Sequence, residues 1–314
     1  MRGRPTFAII PEEGSSPERI HLVRRAETAP PEAIPCRKGN SMEVQIPDLF
    51  DLQKIADSGQ CFRAVGFSDG TYRFFTGTQA LYIRNIAGDR YEISCSPGVW
   101  EQVWVPYFDL GRDYRALNRL IPEEDCFLRQ AAQAGAGIRI LRQDPWETLM
   151  TFLISQRKSI PAIREVVELL SRRYGTPCQT PRETLCTFPT AAQLQGVTVQ
   201  DYAVCKAGYR APYLYDAVQQ VLSRRLDLAA LSALPDDALI SALEGVRGVG
   251  IKVASCVALY AYGRGGCAPV DTWIQKVIRQ KYHGENPFPA YGGAAGLMQQ
   301  YCFYYAQQHR QEVS

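Results

Sequence analysis

The stretch that most constrains this chain runs from Leu243 to Lys276 (LEGVRGVGIKVASCVALYAYGRGGCAPVDTWIQK), where Gly245, Gly248 and Gly250 fall within six residues between two apolar helical patterns. Such a run folds as a helix, a tight hairpin and a second helix. Glycines in the turn admit positive φ and let the backbone come close to a ligand. The second helix should begin near Ile251, with unpaired N–H groups aimed out of the turn, where a phosphate is stabilised. Lys252 stands in the first turn of that helix, and Asp271, after Pro269-Val270, stands where a further helix should start. Singly, these features read as a connector, a solvated charge and an N-cap; together they place an amine and a carboxylate beside an anion-binding turn.

The remainder of the chain is ample for a buried core, with 46% hydrophobic residues in 314. No apolar run approaches the ~20 residues of a membrane span, and the N-terminus lacks the apolar core of a signal peptide, so the cytoplasm is the expected compartment, in contact with a nucleoid or within a nucleus. Ten scattered cysteines without a C-x2-C pair, and three histidines, indicate neither a zinc site nor a disulfide framework. Net charge is +3, and the excess lies with the hairpin: residues 140–314 carry 18 Lys/Arg against 14 Asp/Glu, whereas residues 42–139 carry 10 against 13. That asymmetry suits a surface that meets phosphates and is also compatible with an ordinary solvated face.

Residues 1–41 are rich in Pro, Arg and Glu without apolar periodicity and are expected to form a disordered tail. Met42 opens the first patterned segment, so a chain beginning there should fold as the whole does. From Ile46 to about Trp104 short alternating runs such as Tyr72-Arg73-Phe74-Phe75 and Ala80-Leu81-Tyr82-Ile83-Arg84 are separated by Ser68-Asp69-Gly70 and Ala87-Gly88-Asp89, which predicts an antiparallel β domain over 42–122. From Glu123 the period becomes helical, with helices predicted over 123–133, 145–154, 160–174, 211–223, 235–243 and 252–262, the last apolar on nearly every face and therefore central. The expected class is α+β: an antiparallel sheet followed by an all-helical domain, 123–314, of two subdomains.

The hairpin, the lysine two residues after its last glycine and the Val-Asp nineteen residues later resemble the helix-hairpin-helix DNA glycosylases of the Gly/Pro-Asp superfamily, and further segments resemble its 8-oxoguanine glycosylase/lyases. Ser58-Gly59-Gln60-Cys61-Phe62-Arg63 is close to that family's SGQ-x-FRW segment, with Ala64 in place of the Trp; Gly208-Tyr209-Arg210-Ala211 matches its GYRA; and Gln299 and Phe303 stand four apart, hence on one helix face. The resemblance spans roughly Ile46 to Gln307 and implies a role for each residue. The Gly59 carbonyl would accept the N7–H that 8-oxoguanine has and guanine lacks. Gln299 would read the Watson–Crick edge of a flipped base, held between Phe303 and Cys256. Tyr209 would wedge into the vacated stack beside Arg210, and the turn Gln156-Arg157-Lys158 would enter the minor groove, although relatives carry asparagines there. Gly245, Gly248 and Gly250 would meet the backbone phosphates.

The chemistry implied is attack of the Lys252 amine on C1′ of the sugar, with Asp271 stabilising the cationic sugar or positioning the amine. The amine must be unprotonated to attack, which burial and the positive end of its own helix favour. The Schiff base then permits β-elimination of the 3′ phosphate, so that a bifunctional enzyme acting as a monomer on duplex DNA with an oxidised purine is expected, with no membrane partner. No cofactor is required, and the carbonyls of Gly245, Val246 or Gly248 could hold a monovalent cation. The alternatives are a glycosylase for another damaged base, against which Gly59, Gln299 and Phe303 speak, and a non-catalytic hairpin module or an interaction scaffold. Lys252 with Asp271 argues against the module, and the lack of an internal repeat against the scaffold. Where cytosine-specific relatives clasp the opposite base with an Asn and an Arg five residues apart, this chain has Arg157 and Ala162, which predicts a permissive opposite-base preference.

Overall fold

The computed structural model describes residues 34–35 and 41–313, which form one compact unit. Its strands are β1 (Ile34–Pro35), β2 (Met42–Gln45), β3 (Val65–Gly66), β4 (Thr71–Thr76), β5 (Gln79–Ala87), β6 (Arg90–Ile93), β7 (Pro177–Gln179) and β8 (Thr184–Cys186). Five of them build an antiparallel sheet in the order β2-β6-β5-β4-β3. Phe74, Leu81, Ile83 and Ile93 are buried on one face against Ile55, Trp104 and Phe108, as the period-two pattern requires. The α+β class is as expected.

Two departures concern the first half. The β pattern expected to reach Trp104 stops at Ile93, and residues 97–107 are helical with a π-type turn at their centre; they bury Trp100 and Trp104 under the sheet. Aromatic side chains at a spacing of four suit a helix face as well as they suit a strand. The disordered tail expected over 1–41 lies almost wholly outside the described residues, but within it Ile34–Pro35 pair in parallel with Cys178 and Gln179, which corrects the expectation at that point.

The helical half follows the predicted periodicity closely, with helices at Cys126–Ala134, Pro145–Ser155, Ile160–Tyr174, Ala211–Leu222, Asp236–Glu244 and Ile251–Tyr260. The last buries Val253, Ala254 and every residue from Cys256 to Tyr260, and so is the central helix its all-round apolar sequence demands. Two further helices, Thr272–Lys281 and Ala295–Gln308, complete the surroundings of the site.

The strand pair β7–β8 was not expected in the helical half. It returns to the sheet, where Cys178 and Leu185 pack on Phe75, Ala80 and Tyr82 while Glu183 and Arg182 pair with Arg73 and Asp69 at 2.8 and 2.9 Å. A second tie is Arg139, fully buried, whose Nε and two Nη atoms donate to Phe108, Leu49, Asp109 and Arg112 carbonyls and to the Asp48 carboxylate, with its Cζ 3.8 Å from the Tyr114 ring centroid. The chain therefore crosses the 122/123 boundary several times.

Candidate active site

The hairpin between the Asp236–Glu244 and Ile251–Tyr260 helices is built as its sequence implies, with one refinement. Of its three glycines only Gly248 has positive φ (+85°), and a Cβ there would sit 2.5 Å from the Tyr213 ring, so both backbone and packing demand glycine. Gly250 is the N-cap of the second helix, with open space where a side chain would be, which leaves the free N–H groups of the first turn uncovered. Gly245 ends the first helix in ordinary αR geometry.

Lys252, in that first turn, is half-buried with its Nζ 5.2 Å from the Phe152 ring centroid. Phe152 in turn stacks on Tyr260 at 5.5 Å and 14°. Asp271 is the N-cap of Thr272–Lys281, accepting from the Ile274 N–H at 2.9 Å. Burial holds its carboxyl above the usual range, against the opposing pull of that N–H and of the Lys252 charge. A carboxylate kept partly desolvated beside an amine is an arrangement found at reactive centres.

Lys252 and Asp271 line two connected features: an open cleft of about 520 Å³ and, behind it, a recess of about 40 Å³. The recess also touches Gly59, Cys256, Gln299 and Phe303, so the structure gathers from three distant segments all the residues expected to bind the base. Gly59 has φ +76°, and a Cβ there would lie 3.0 Å from the Phe303 ring. Burial pushes the Cys256 thiol up, which keeps it neutral and apolar. Gln299 is 3% exposed, and its Oε1 finds no hydrogen-bond partner among the described residues. A buried amide oxygen left open costs stability unless something fills the place. The recess has room for no more than a few waters, so a base entering it needs the lining to shift.

Gln156, Arg157, Lys158 and Tyr209 line the mouth of the cleft. Tyr209 is 52% exposed, so its ring is open to solvent. Arg157 is exposed with φ +51°, a strained backbone for a residue with a side chain. Gln156 is turned inward instead: its Nε2 donates to the Gly248 carbonyl at 3.1 Å and ties this turn to the hairpin. Arg210 departs further from its expected DNA contact. It is 5% exposed, its guanidinium donates to the Gln156 and Ala207 carbonyls, and its Cζ lies 4.2 Å from the Tyr209 ring centroid. It braces Tyr209 from behind, because a guanidinium starved of water takes whatever carbonyls the loop offers.

The sequence reading missed Phe152, Tyr260 and Trp273. Trp273, two residues beyond Asp271, lines the cleft with the Lys276 Nζ and Arg310 Cζ at 5.1 and 5.6 Å from its ring centroid. Nothing in an isolated aromatic residue on a helix distinguishes such a wall from core, although its place in the first turn after Asp271 put it within reach of the site.

Comparison with known proteins places the fold among solved glycosylases. Residues 43–149 match the family described as 8-oxoguanine DNA glycosylase, N-terminal domain. The structure of MBOgg1 in complex with a low-affinity DNA ligand superposes with a TM-score of 0.81 at 34% identity, covering 87% of this chain and 97% of that one. That of Clostridium acetobutylicum 8-oxoguanine glycosylase/lyase, in complex with double-stranded DNA containing cytosine opposite 8-oxoG, gives 0.79 at 31% identity, covering 87% and 99%. The probable N-glycosylase/DNA lyase of Methanothermobacter thermautotrophicus is 27% identical over 228 residues, 63% of this chain and 72% of that protein.

Proposed function

The chain belongs to the 8-oxoguanine DNA glycosylase/lyase family, and from that premise we propose how its own residues carry out base excision and strand cleavage on duplex DNA. The observation that carries the reading is the open Gln299 Oε1, buried in the recess that Lys252 and Asp271 share. An acceptor with no partner among the described residues is placed to take the N–H donors of a flipped purine. Phe303 and the neutral Cys256 thiol offer apolar faces to either side of the ring, and the Gly59 carbonyl accepts the N7–H peculiar to the oxidised base. Selectivity for 8-oxoguanine over guanine then rests on one backbone oxygen.

The Lys252 amine attacks C1′ as the N-glycosidic bond breaks, and the departing base carries off the electron pair. Asp271 faces the positive charge that develops on the sugar. Loss of one proton from the amine and opening of the sugar ring, with O4′ taking up a proton, give an iminium between Nζ and C1′. Removal of a C2′ proton then expels the 3′ phosphate. The uncovered N–H groups after Gly250 hold a strand phosphate, and Arg157, Lys158 and Tyr209 reach the duplex at the flipped site. The hairpin carbonyls remain compatible with a monovalent cation: those of Gly245 and Gly248 each accept a side-chain amide, from Gln220 and Gln156, and keep a second lone pair. The enzyme works wherever its DNA is held, as a monomer.

Borohydride trapping on a duplex with a single 8-oxoguanine tests the assignment. The wild-type chain should be captured covalently, and Lys252→Gln should lose both capture and base release while still binding lesion DNA through the hairpin backbone. Undiminished capture by that variant overturns the role of Lys252.

A further inference from the structure

The residues on both sides of Gly59 are tied through their carbonyls to one residue of the catalytic helix. On one side the Ser58 carbonyl accepts from Gln300 Nε2 at 2.7 Å, and the Gln300 Oε1 accepts from the Tyr260 hydroxyl. On the other the Gln60 carbonyl accepts from Gln143 Nε2 at 2.8 Å, while the Gln143 backbone N–H donates to the Tyr260 carbonyl at 2.7 Å. Tyr260 thus anchors two arms that close on the 58–60 turn, and it ends the helix on which Lys252 stands. Gln300 is 1% exposed, so its arm has no water to exchange with. The Gln60 side chain is locked as well, on the Arg139 carbonyl and the Leu141 N–H, both at 2.8 Å.

We propose that Gln300 and Gln143 are positioning residues that fix the spacing between the Gly59 carbonyl and Lys252, and thereby set how well the enzyme tells 8-oxoguanine from guanine. This rests on the reading of the Gly59 carbonyl as the lesion contact. The two bases differ there by one N–H, and a hydrogen bond weakens steeply once donor and acceptor are displaced or misaligned. A recognition oxygen that drifts relative to the nucleophile loses the lesion without losing the chemistry. The lysine, the aspartate and the hairpin do not depend on the two arms, so cleavage of an abasic site, which has no base to read, does not need them.

The test compares Gln300→Leu and Gln143→Leu with wild type in three assays: single-turnover excision of 8-oxoguanine and of guanine from otherwise identical duplexes, cleavage of an abasic duplex, and thermal melting. The 8-oxoguanine to guanine ratio should fall about tenfold or more in Gln300→Leu, the size of one lost base contact, and in the same direction in Gln143→Leu. Abasic cleavage should stay within about threefold of wild type. Should Gln300→Leu fail to fold, Gln143→Leu decides, since its side chain is only half-buried. An unchanged ratio in a folded variant overturns the proposal, as does an equal fall in excision and abasic cleavage, which marks a merely structural role. A wild-type enzyme with no preference for 8-oxoguanine refutes instead the reading of Gly59 on which the proposal stands.

Discussion

Two buried polar clusters lie in this molecule and are built in opposite ways. Around Arg139 every guanidinium donor has an acceptor, five bonds in all, and its partner Asp48 is held below the usual carboxylate range: burial pushes it up, but the N–H groups of Tyr114 and Leu49 and the Arg139 charge outweigh that. Around Lys252 the balance is reversed. Asp271 is held above the usual range, Gln299 keeps an open oxygen, and the turn at the mouth carries a strained Arg157. A saturated cluster has nothing left to offer a ligand and serves the fold. An unsaturated one gives up stability to keep a place open, which is what a ligand-binding cluster requires.

Removing the guanidinium from the saturated cluster should have the largest effect. Arg139→Met leaves Asp48 and four carbonyls without their donor, and should cost about 3–5 kcal/mol in denaturant unfolding. A loss below about 1 kcal/mol would show that the cluster is no more than surface-grade pairing.

The same operation on the other side should separate stability from activity. Asp271→Asn keeps an acceptor for the Ile274 N–H and removes the buried charge. Because the folded-state pKa is raised, the folded chain holds this proton more tightly than the unfolded chain. Stability therefore falls as pH rises from the ordinary aspartate value through the raised one. The variant should melt no lower than wild type at pH 7 while excision slows more than about tenfold. A drop in melting temperature together with wild-type rates would reduce Asp271 to a helix cap.

The smallest effect concerns the arginines themselves. Arg139 has no freedom, whereas Arg157 is exposed at the cleft, and Ala162 offers no donor where cytosine-specific relatives have an arginine. Each lost base contact is worth ~1–3 kcal/mol, so excision from duplexes differing only in the opposite base should favour cytosine over adenine by about tens-fold or less. A preference above about a thousandfold would show that Arg157 alone restores the clasp.

Most helix limits were legible in the sequence from apolar residues at helical spacing, and the residues that line the recess could be named beforehand because their motifs resemble the family's. Residues whose work depends on distant partners were not. Arg210 sits in a loop that looks as exposed as Tyr209's, and only the folded loop shows its guanidinium spent on the Gln156 carbonyl. Trp100 and Trp104 fit a strand pattern until the chain beyond Ile93 turns helical beneath the sheet. The arms on Tyr260 join positions 58, 143, 260 and 300, a set that no window along the chain contains.

The return of β7 and β8 to the sheet bears on how the chain can be taken apart. With Cys178 and Leu185 embedded against Phe75 and Tyr82, neither half keeps its apolar surface covered without the other. A fragment cut near residue 122 would expose that surface and collect into aggregates. In a calorimeter the intact chain should show one endotherm, not the two of separable modules. Any scheme to transplant the catalytic half onto another scaffold has to carry the sheet with it.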